Sequence, residues 1–267
     1  MTDTEAVEGR MTLIEHLSEL RGRLMKSVIA VVVGAVICWI FYDQIFEALV
    51  APYCDTLPTD AEQEATGEGL LTQESCVLVT RDPLEEFATR LTVAGYGGIA
   101  LAIPVILWQA WRFITPGLHP HEKRYAVPFV ISGVLLFFAG TALAYWSIPR
   151  ALDFLTNIGG ENLEALFSPK PYLSFVTKMM LAFGLAFQFP IVLIFLQMAG
   201  LLDNKTLQKN RHYAVVGIVT LVAVITPSGD PITLLVLSVP MYVFYEIAIL
   251  YGVIRERRAR RRARAVA

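Results

Sequence analysis

Few residues of this chain are placed to do chemistry, and most of them border or interrupt long apolar blocks. Glu122 follows Pro116, Gly117, Pro120 and His121, and two prolines so close together hold that loop in a stiff, nonhelical path. Its carboxylate either pairs in solvent with Lys123, Arg124 or a tail arginine, or accepts a cationic ligand. Gln188 lies inside an apolar block beside Pro190. An amide at that depth hydrogen-bonds a neighbouring helix, within the chain or on a partner, and polar groups inside a membrane are functional by default. Glu246 is the costliest group in the sequence: it must be protonated, paired or close to the aqueous edge, and the arginines from Arg255 onward favour the last. Cys54 and Cys76 stand 21 residues apart, counting those between them. On an oxidising side of a membrane they form a disulfide, and otherwise they remain two thiols. Cys38 reads as a small apolar residue.

Enzymatic chemistry finds little support. His16, His119, His121 and His212 all fall at block boundaries, so no serine within a block has a histidine base at its depth. The sequence contains neither an HExxH motif nor a GxxxxGK[ST] phosphate loop. With no CxxC and no Cys/His cluster, neither a metal site nor a cofactor is expected.

The elements that position these residues follow from composition. Of the 267 residues, 55% are hydrophobic and 17% charged, well below the roughly 25% charge of soluble domains. Apolar blocks run from Met25 to Tyr42, Leu91 to Trp111, Tyr125 to Ile148, Leu173 to Leu202, Tyr213 to Ile225 and Ile232 to Val253. A hydrocarbon core needs about 20 residues of helix. The fifth block has 13, so it borrows flanking residues or thins the bilayer. All six read as helices, because an open strand leaves backbone groups unsatisfied in lipid. The expectation is an all-α integral membrane protein with six transmembrane helices, residues 1–254 forming one membrane domain and 255–267 a basic tail.

The formal charge of −2 suggests no nucleic-acid partner, yet it hides a segregation. With the N-terminus inside, 17 of the 22 Lys and Arg residues fall on the cytoplasmic side, which predicts N-in and C-in. The first outer loop is acidic, with Asp55, Asp60, Glu62, Glu64, Glu68 and Glu74, and reads as a solvated face. Asp3, Glu5 and Glu8 precede any apolar stretch, so no signal-peptide cleavage is expected. Thr12 with Glu15 makes a capping box, and Leu13, Leu17, Leu20 and Leu24 recur at helical spacing. An amphipathic helix is therefore expected to lead into the first span. Its leucines lie on the membrane surface or against other helices, and Glu15, Glu19 and Arg23 turn to the cytoplasm.

These residues resemble a known family. The stretch HLSELRGRL from His16 to Leu24 is similar to the N-terminal signature of TatC, the core subunit of the twin-arginine protein translocase. Pro83, Glu85 and Phe87 look like its PxExF element. Trp111, Phe113, Pro116, Gly117, Leu118 and Glu122 resemble its first cytoplasmic loop. Phe183, Gly184, Phe187 and Pro190 resemble its fourth span, Thr226 and Pro227 its last outer turn, and Pro240, Met241, Tyr242 and Glu246 its sixth helix. Each element alone is weak; six in the right order are specific.

The resemblance implies a cupped six-helix protein with two short final spans in the cytoplasmic (inner) membrane. It implies binding of the signal peptides of folded cargo, assembly with TatB-like and TatA-like single-span subunits and further copies of the chain, and transport driven by the proton-motive force. The family's two recognition glutamates fall on Glu19 and Glu122, with Arg21 and Phe113 as neighbouring signal-peptide contacts and Gln188 as a partner-helix contact. Guanidinium groups pair with carboxylates in a bidentate fork that an ammonium does not reproduce. Many members carry Glu where this sequence has Gln188, so a titrating carboxylate at that depth is missing here. The arginines from Arg255 to Arg264 lie outside the family signature and read as a contact with anionic lipid. The principal alternative is a secondary transporter of a small anionic solute, which needs polar groups converging at mid-membrane.

Overall fold

The computed structural model describes residues 13–57, 76, 78, 80, 82–114, 126–158, 167–226 and 230–266. Among these there are nine helices: α1 Leu13–Ile40, α2 Tyr42–Cys54, α3 Pro83–Ile114, α4 Ala126–Asn157, α5 Pro169–Ala186, α6 Phe189–Met198, α7 Asn204–Lys209, α8 Arg211–Ile225 and α9 Pro231–Val266. Five stretches are long and apolar enough to cross a membrane: His16–Ile40, Pro83–Phe113, Val127–Asn157, Pro169–Met198 and Pro231–Arg258. The fifth apolar block forms the shorter helix α8, of 15 residues.

Four elements differ from the sequence reading. The amphipathic segment and the first span are one unbroken helix of 28 residues; Thr12 of the expected capping box lies outside the described residues. The fourth block is broken, with α5 ending at Ala186 and α6 starting at Phe189. Pro190 has no N–H to return to the carbonyl four residues back. The chain bridges the gap with tighter bonds, Gln188 N–H to Leu185 O at 3.0 Å and Ile191 N–H to Gln188 O at 3.1 Å. The last helix is not short: it runs for 36 residues, through the arginine run, because Arg and Ala are strong helix formers and nothing there stops the helix. The helix α2 was not anticipated. Charges and Pro52 cut its apolar run short, yet Ile45, Leu49 and Tyr53 recur at helical spacing and pack into the core.

The core centres on α5. Its Leu173, Val176, Met179 and Phe183 are fully buried, against Phe137 and Ile148 of α4 and Leu237 and Met241 of α9. The helices approach closely where glycines meet backbone. A side chain at Gly34 of α1 would sit 2.7 Å from the Gly98 carbonyl of α3, and one at Gly98 would sit 2.6 Å from the Ala35 nitrogen. At the crossing of α4 and α5, a side chain at Gly140 would lie 2.6 Å from the Phe183 carbonyl. Such small-residue contacts let backbones pack where lipid supplies no hydrophobic drive between helices.

At the end of the bundle away from the N-terminus, α2 is tied down by tyrosines. Pro52 leaves the Ala48 carbonyl without its intrahelical donor, and the Tyr145 hydroxyl donates to that oxygen at 2.8 Å. Tyr172 donates to the next carbonyl, Leu49 O, at 2.9 Å. Cys54 at the end of α2 is disulfide-bonded to Cys76, with Cα atoms 5.6 Å apart. Asp230 caps α9, accepting from the Thr233 N–H at 2.7 Å, with Pro231 in the first helical position.

The crossing of α1 and α3 yields a direct test. Gly98→Leu forces the two backbones apart, at an expected cost of about 1–3 kcal/mol, read as a lower thermal midpoint of the detergent-solubilised chain. Gly95→Ala, whose added Cβ meets nothing within 4 Å, should leave that midpoint unchanged or raise it. Equal midpoints for the two variants would mean that the crossing is not under tight steric control.

Candidate functional site

Glu19 lies on the second turn of α1, and its environment reverses the sequence expectation. The leucines face outward, as one of the two placements expected for them: Leu17 is 62% and Leu24 59% exposed, but the carboxylate does not turn to water. The side chains of Glu19 and Arg23 retain only 21% and 15%. The reason is the solvent. Against lipid it is the apolar face that needs no covering, while polar groups gain by facing other helices.

One oxygen of the Glu19 carboxylate is held by Arg23 one turn on, through both Nε, at 3.1 Å, and Nη2. This is a neighbour pair that i,i+4 spacing favours on any helix. The other oxygen, Oε2, is buried and has no hydrogen-bond partner. Three residues before Glu19, the His16 ring stacks on Phe113 near the end of α3, with centroids 4.4 Å apart and planes 17° from parallel. The structure thus brings His16, Glu19, Arg23 and Phe113 together at one end of the α1–α3 pair. Just along the two helices opens an apolar groove lined by Leu20, Leu24, Val28 and Val31 on one side and Ile106 and Phe113 on the other. Arg21 is exposed on the same turn of α1. Glu122 and the proline loop that carries it lie outside the described residues.

Gln188 occupies the break between α5 and α6. Its Nε2 donates to the Gly133 carbonyl of α4 at 2.9 Å, while its Oε1 is buried without a donor. The side chain borders an apolar hollow lined by Leu107, Trp111, Phe129, Ile191 and Phe195. The Trp111 ring there stacks on Phe129 at 4.7 Å. The break itself aims this amide, since an unbroken helix would rotate Gln188 to a different bearing on α4.

The sequence places Glu246 close to an aqueous edge; in the structure its side chain is 33% exposed and also paired. Arg255 is about 13 Å farther along the helix at 1.5 Å per residue, and its guanidinium donates to the Gln197 carbonyl at 3.0 Å instead. The partner of Glu246 is Arg211, the first residue of α8, at 3.0 Å, with the Tyr242 hydroxyl donating to the same carboxylate at 3.0 Å. Arg211 is 35 residues distant in sequence, so only the packing of α8 on α9 reveals the pair. The Arg23 pairing, by contrast, was legible in its spacing. Among the described residues no cluster of His, Cys, Asp or Glu could hold a metal ion.

The chain is similar to known proteins over most of its length. A family model described as Sec-independent protein translocase protein (TatC) matches residues 15–240. The Sec-independent protein translocase protein TatC of Frankia casuarinae is 38% identical over 260 residues, which cover 97% of this chain and 70% of that one. The protein of the same description from Aquifex aeolicus is 38% identical over 251 residues, covering 93% and 97%. A crystal structure of a twin-arginine translocase receptor, TatC, superposes with a TM-score of 0.69 at 37% identity, covering 90% of this chain and 99% of that one.

The Arg211–Glu246 pair can be weighed with a double-mutant cycle. Both side chains are partly exposed, so Arg211→Ala, Glu246→Ala and the double variant should give a coupling energy of about 0.5–1 kcal/mol in denaturant unfolding in detergent. A coupling indistinguishable from zero would reduce the pair to a crossing without energetic weight.

Proposed function

The chain belongs to the TatC family of Sec-independent protein translocase proteins, and from that premise we propose that Glu19 and Glu122 accept the paired guanidinium groups of a twin-arginine signal peptide. The chain is a multi-pass membrane component of the translocase. The finer reading sets it in the cytoplasmic membrane with both termini inside and α8 as a sixth crossing, in agreement with the lysine and arginine bias of the sequence.

The observation that carries the proposal is the half-used carboxylate of Glu19. Oε1 is satisfied by Arg23, while Oε2 is buried with no donor. A buried carboxylate oxygen left unpaired is costly, and an incoming guanidinium would relieve that cost. The second arginine of the signal falls to Glu122, and Arg21 and Phe113 border the bound segment. Phe113 already stacks on His16 at the mouth of the site. The apolar groove beside it suits the hydrophobic stretch of a signal peptide. Nothing in the comparisons supports the solute-transporter alternative. No catalytic step is assigned to the chain.

The proposal extends to partners. The free Oε1 of Gln188, bordering an apolar hollow, is suited to accept a hydrogen bond from a single-span TatA-like or TatB-like helix. The tail arginines on α9 favour anionic lipid, and further copies of the chain complete the assembly.

Two experiments test this reading. Glu19→Gln and Glu122→Gln keep shape and remove charge. Each should cut signal-peptide affinity by about tenfold to a hundredfold, the worth of a charge-assisted hydrogen bond of roughly 1.5–3 kcal/mol, and abolish or severely reduce export at unchanged protein level. Changing both signal arginines to lysine should be as harmful, since the charge stays and the fork is lost. Normal binding and export by both glutamine variants would move recognition elsewhere. Separately, Gln188→Leu should weaken partner crosslinking by about 1 kcal/mol and leave signal-peptide binding intact. An unchanged crosslink would assign Gln188 to the chain's own packing alone.

A further inference from the structure

At the end of the bundle away from the N-terminus lies a hollow of about 670 Å³ between the end of α1, the start of α2 and the start of α3. None of the family motifs above accounts for it beyond Phe87 on its rim. Its centre is Arg90. The guanidinium carbon lies 5.2 Å from the Trp39 ring and 4.8 Å from the Tyr42 ring, and Nε is buried with no hydrogen-bond partner. Asp43 and Glu86 line the same hollow and are exposed. Among the described residues, none of these three charged groups belongs to an ion pair.

The chemistry of an occupant follows from this set. Aromatic faces bind a guanidinium through its π surface, which leaves its in-plane N–H edges directed at a ligand, the geometry that recognises phosphate. A purely anionic ligand would meet the repulsion of Asp43 and Glu86; a purely cationic one would meet Arg90. A ligand carrying a phosphate and an ammonium together satisfies both.

The depth of the hollow is equally specific. Trp39 is one residue before the end of α1, Phe87 is on the second turn of α3, and the two rings touch edge to face with centroids 6.0 Å apart. Tryptophan and tyrosine at the ends of spans mark the headgroup level of a bilayer. Below them Val36, Ile37 and Leu91 expose apolar surface against which acyl chains lie.

We infer that this hollow is a headgroup site for a zwitterionic aminophospholipid, with the phosphate on Arg90 and the ammonium between Asp43 and Glu86. Such a lipid fills the wedge between α1 and α3 where the chain turns into α2. The site is separate from the arginine run of α9, whose attraction is for net negative charge. It does not depend on which way the chain is inserted.

The test uses the full chain, purified in dodecylmaltoside and stripped of lipid. Native mass spectrometry then measures retention of added phosphatidylethanolamine and phosphatidylglycerol. The wild-type chain should retain phosphatidylethanolamine about tenfold better than phosphatidylglycerol, as expected for about 1.4 kcal/mol of headgroup discrimination. Arg90→Gln should lose retention of phosphatidylethanolamine by a similar factor. Asp43→Asn with Glu86→Gln should bring the two lipids to equal retention, because only the ammonium contact is removed. These two positions are exposed, so this double variant folds even if Arg90→Gln does not. Equal retention of the two lipids by the wild-type chain, or an unaltered preference in the double variant, would overturn the inference. So would displacement by soluble phosphoethanolamine at the concentration of the lipid, since the acyl chains would then contribute nothing, or displacement by a peptide.

Discussion

A carbonyl freed in a hydrocarbon interior has no water to turn to, and each unsatisfied backbone group there costs several kcal/mol. The structure answers that constraint at two helix-interrupting prolines, Pro52 and Pro190. Pro52 strips the Ala48 carbonyl of its donor, and Tyr145 supplies one from another helix. Pro190 interrupts the fourth span, and the chain responds with two tight turns that keep the backbone bonded. In both places the repair also fixes tertiary geometry. The Tyr145 bond draws α2 against α4, and the break at residues 187 and 188 aims the Gln188 amide at Gly133.

The same solvent inverts the usual reading of an amphipathic helix. In water the leucines of α1 would be covered and its carboxylates exposed. Here Leu17 and Leu24 face outward while Glu19 and Arg23 are mostly covered. A charged pair held partly inside the protein costs desolvation that its own attraction only partly repays. A carboxylate oxygen left without a donor in that setting is poised for a strong cationic ligand. The feature that raises the energy of the empty site is therefore the one that favours recognition. Arg23 also keeps the Glu19 carboxylate in one orientation through two donors on one oxygen.

Two ends of the α1–α3 pair thus present guanidinium chemistry of opposite sense. Near the N-terminus the Glu19 carboxylate holds one guanidinium, that of Arg23, and keeps a second oxygen without a donor. At the far end the chain's own Arg90 lies on two aromatic rings with its edge unoccupied. The glycine crossing at Gly34 and Gly98 sits between them. Because that contact is backbone to backbone, it fixes how far apart the helices stand at both ends, and so sets the widths of the groove beside Glu19 and of the hollow around Arg90.

The sequence by itself determined what is additive along the chain. Long apolar blocks and scarce charge gave a helical membrane protein, because burial in lipid is a sum over consecutive residues. Ordered short motifs, none informative alone, gave the family. The spacing of Glu19 and Arg23 was compatible with a pair, whereas the break before Pro190 was not read from the sequence. What only the tertiary structure decided is which polar groups meet across helices and which face turns inward. Glu246 finds Arg211, His16 finds Phe113, and Arg90 finds Trp39 and Tyr42. Each pairing depends on the angle and distance at which two helices cross. For α1 and α3 those are set by the contact of Gly34 and Gly98 with the facing backbone, and no local pattern in the sequence records which backbone a glycine will meet.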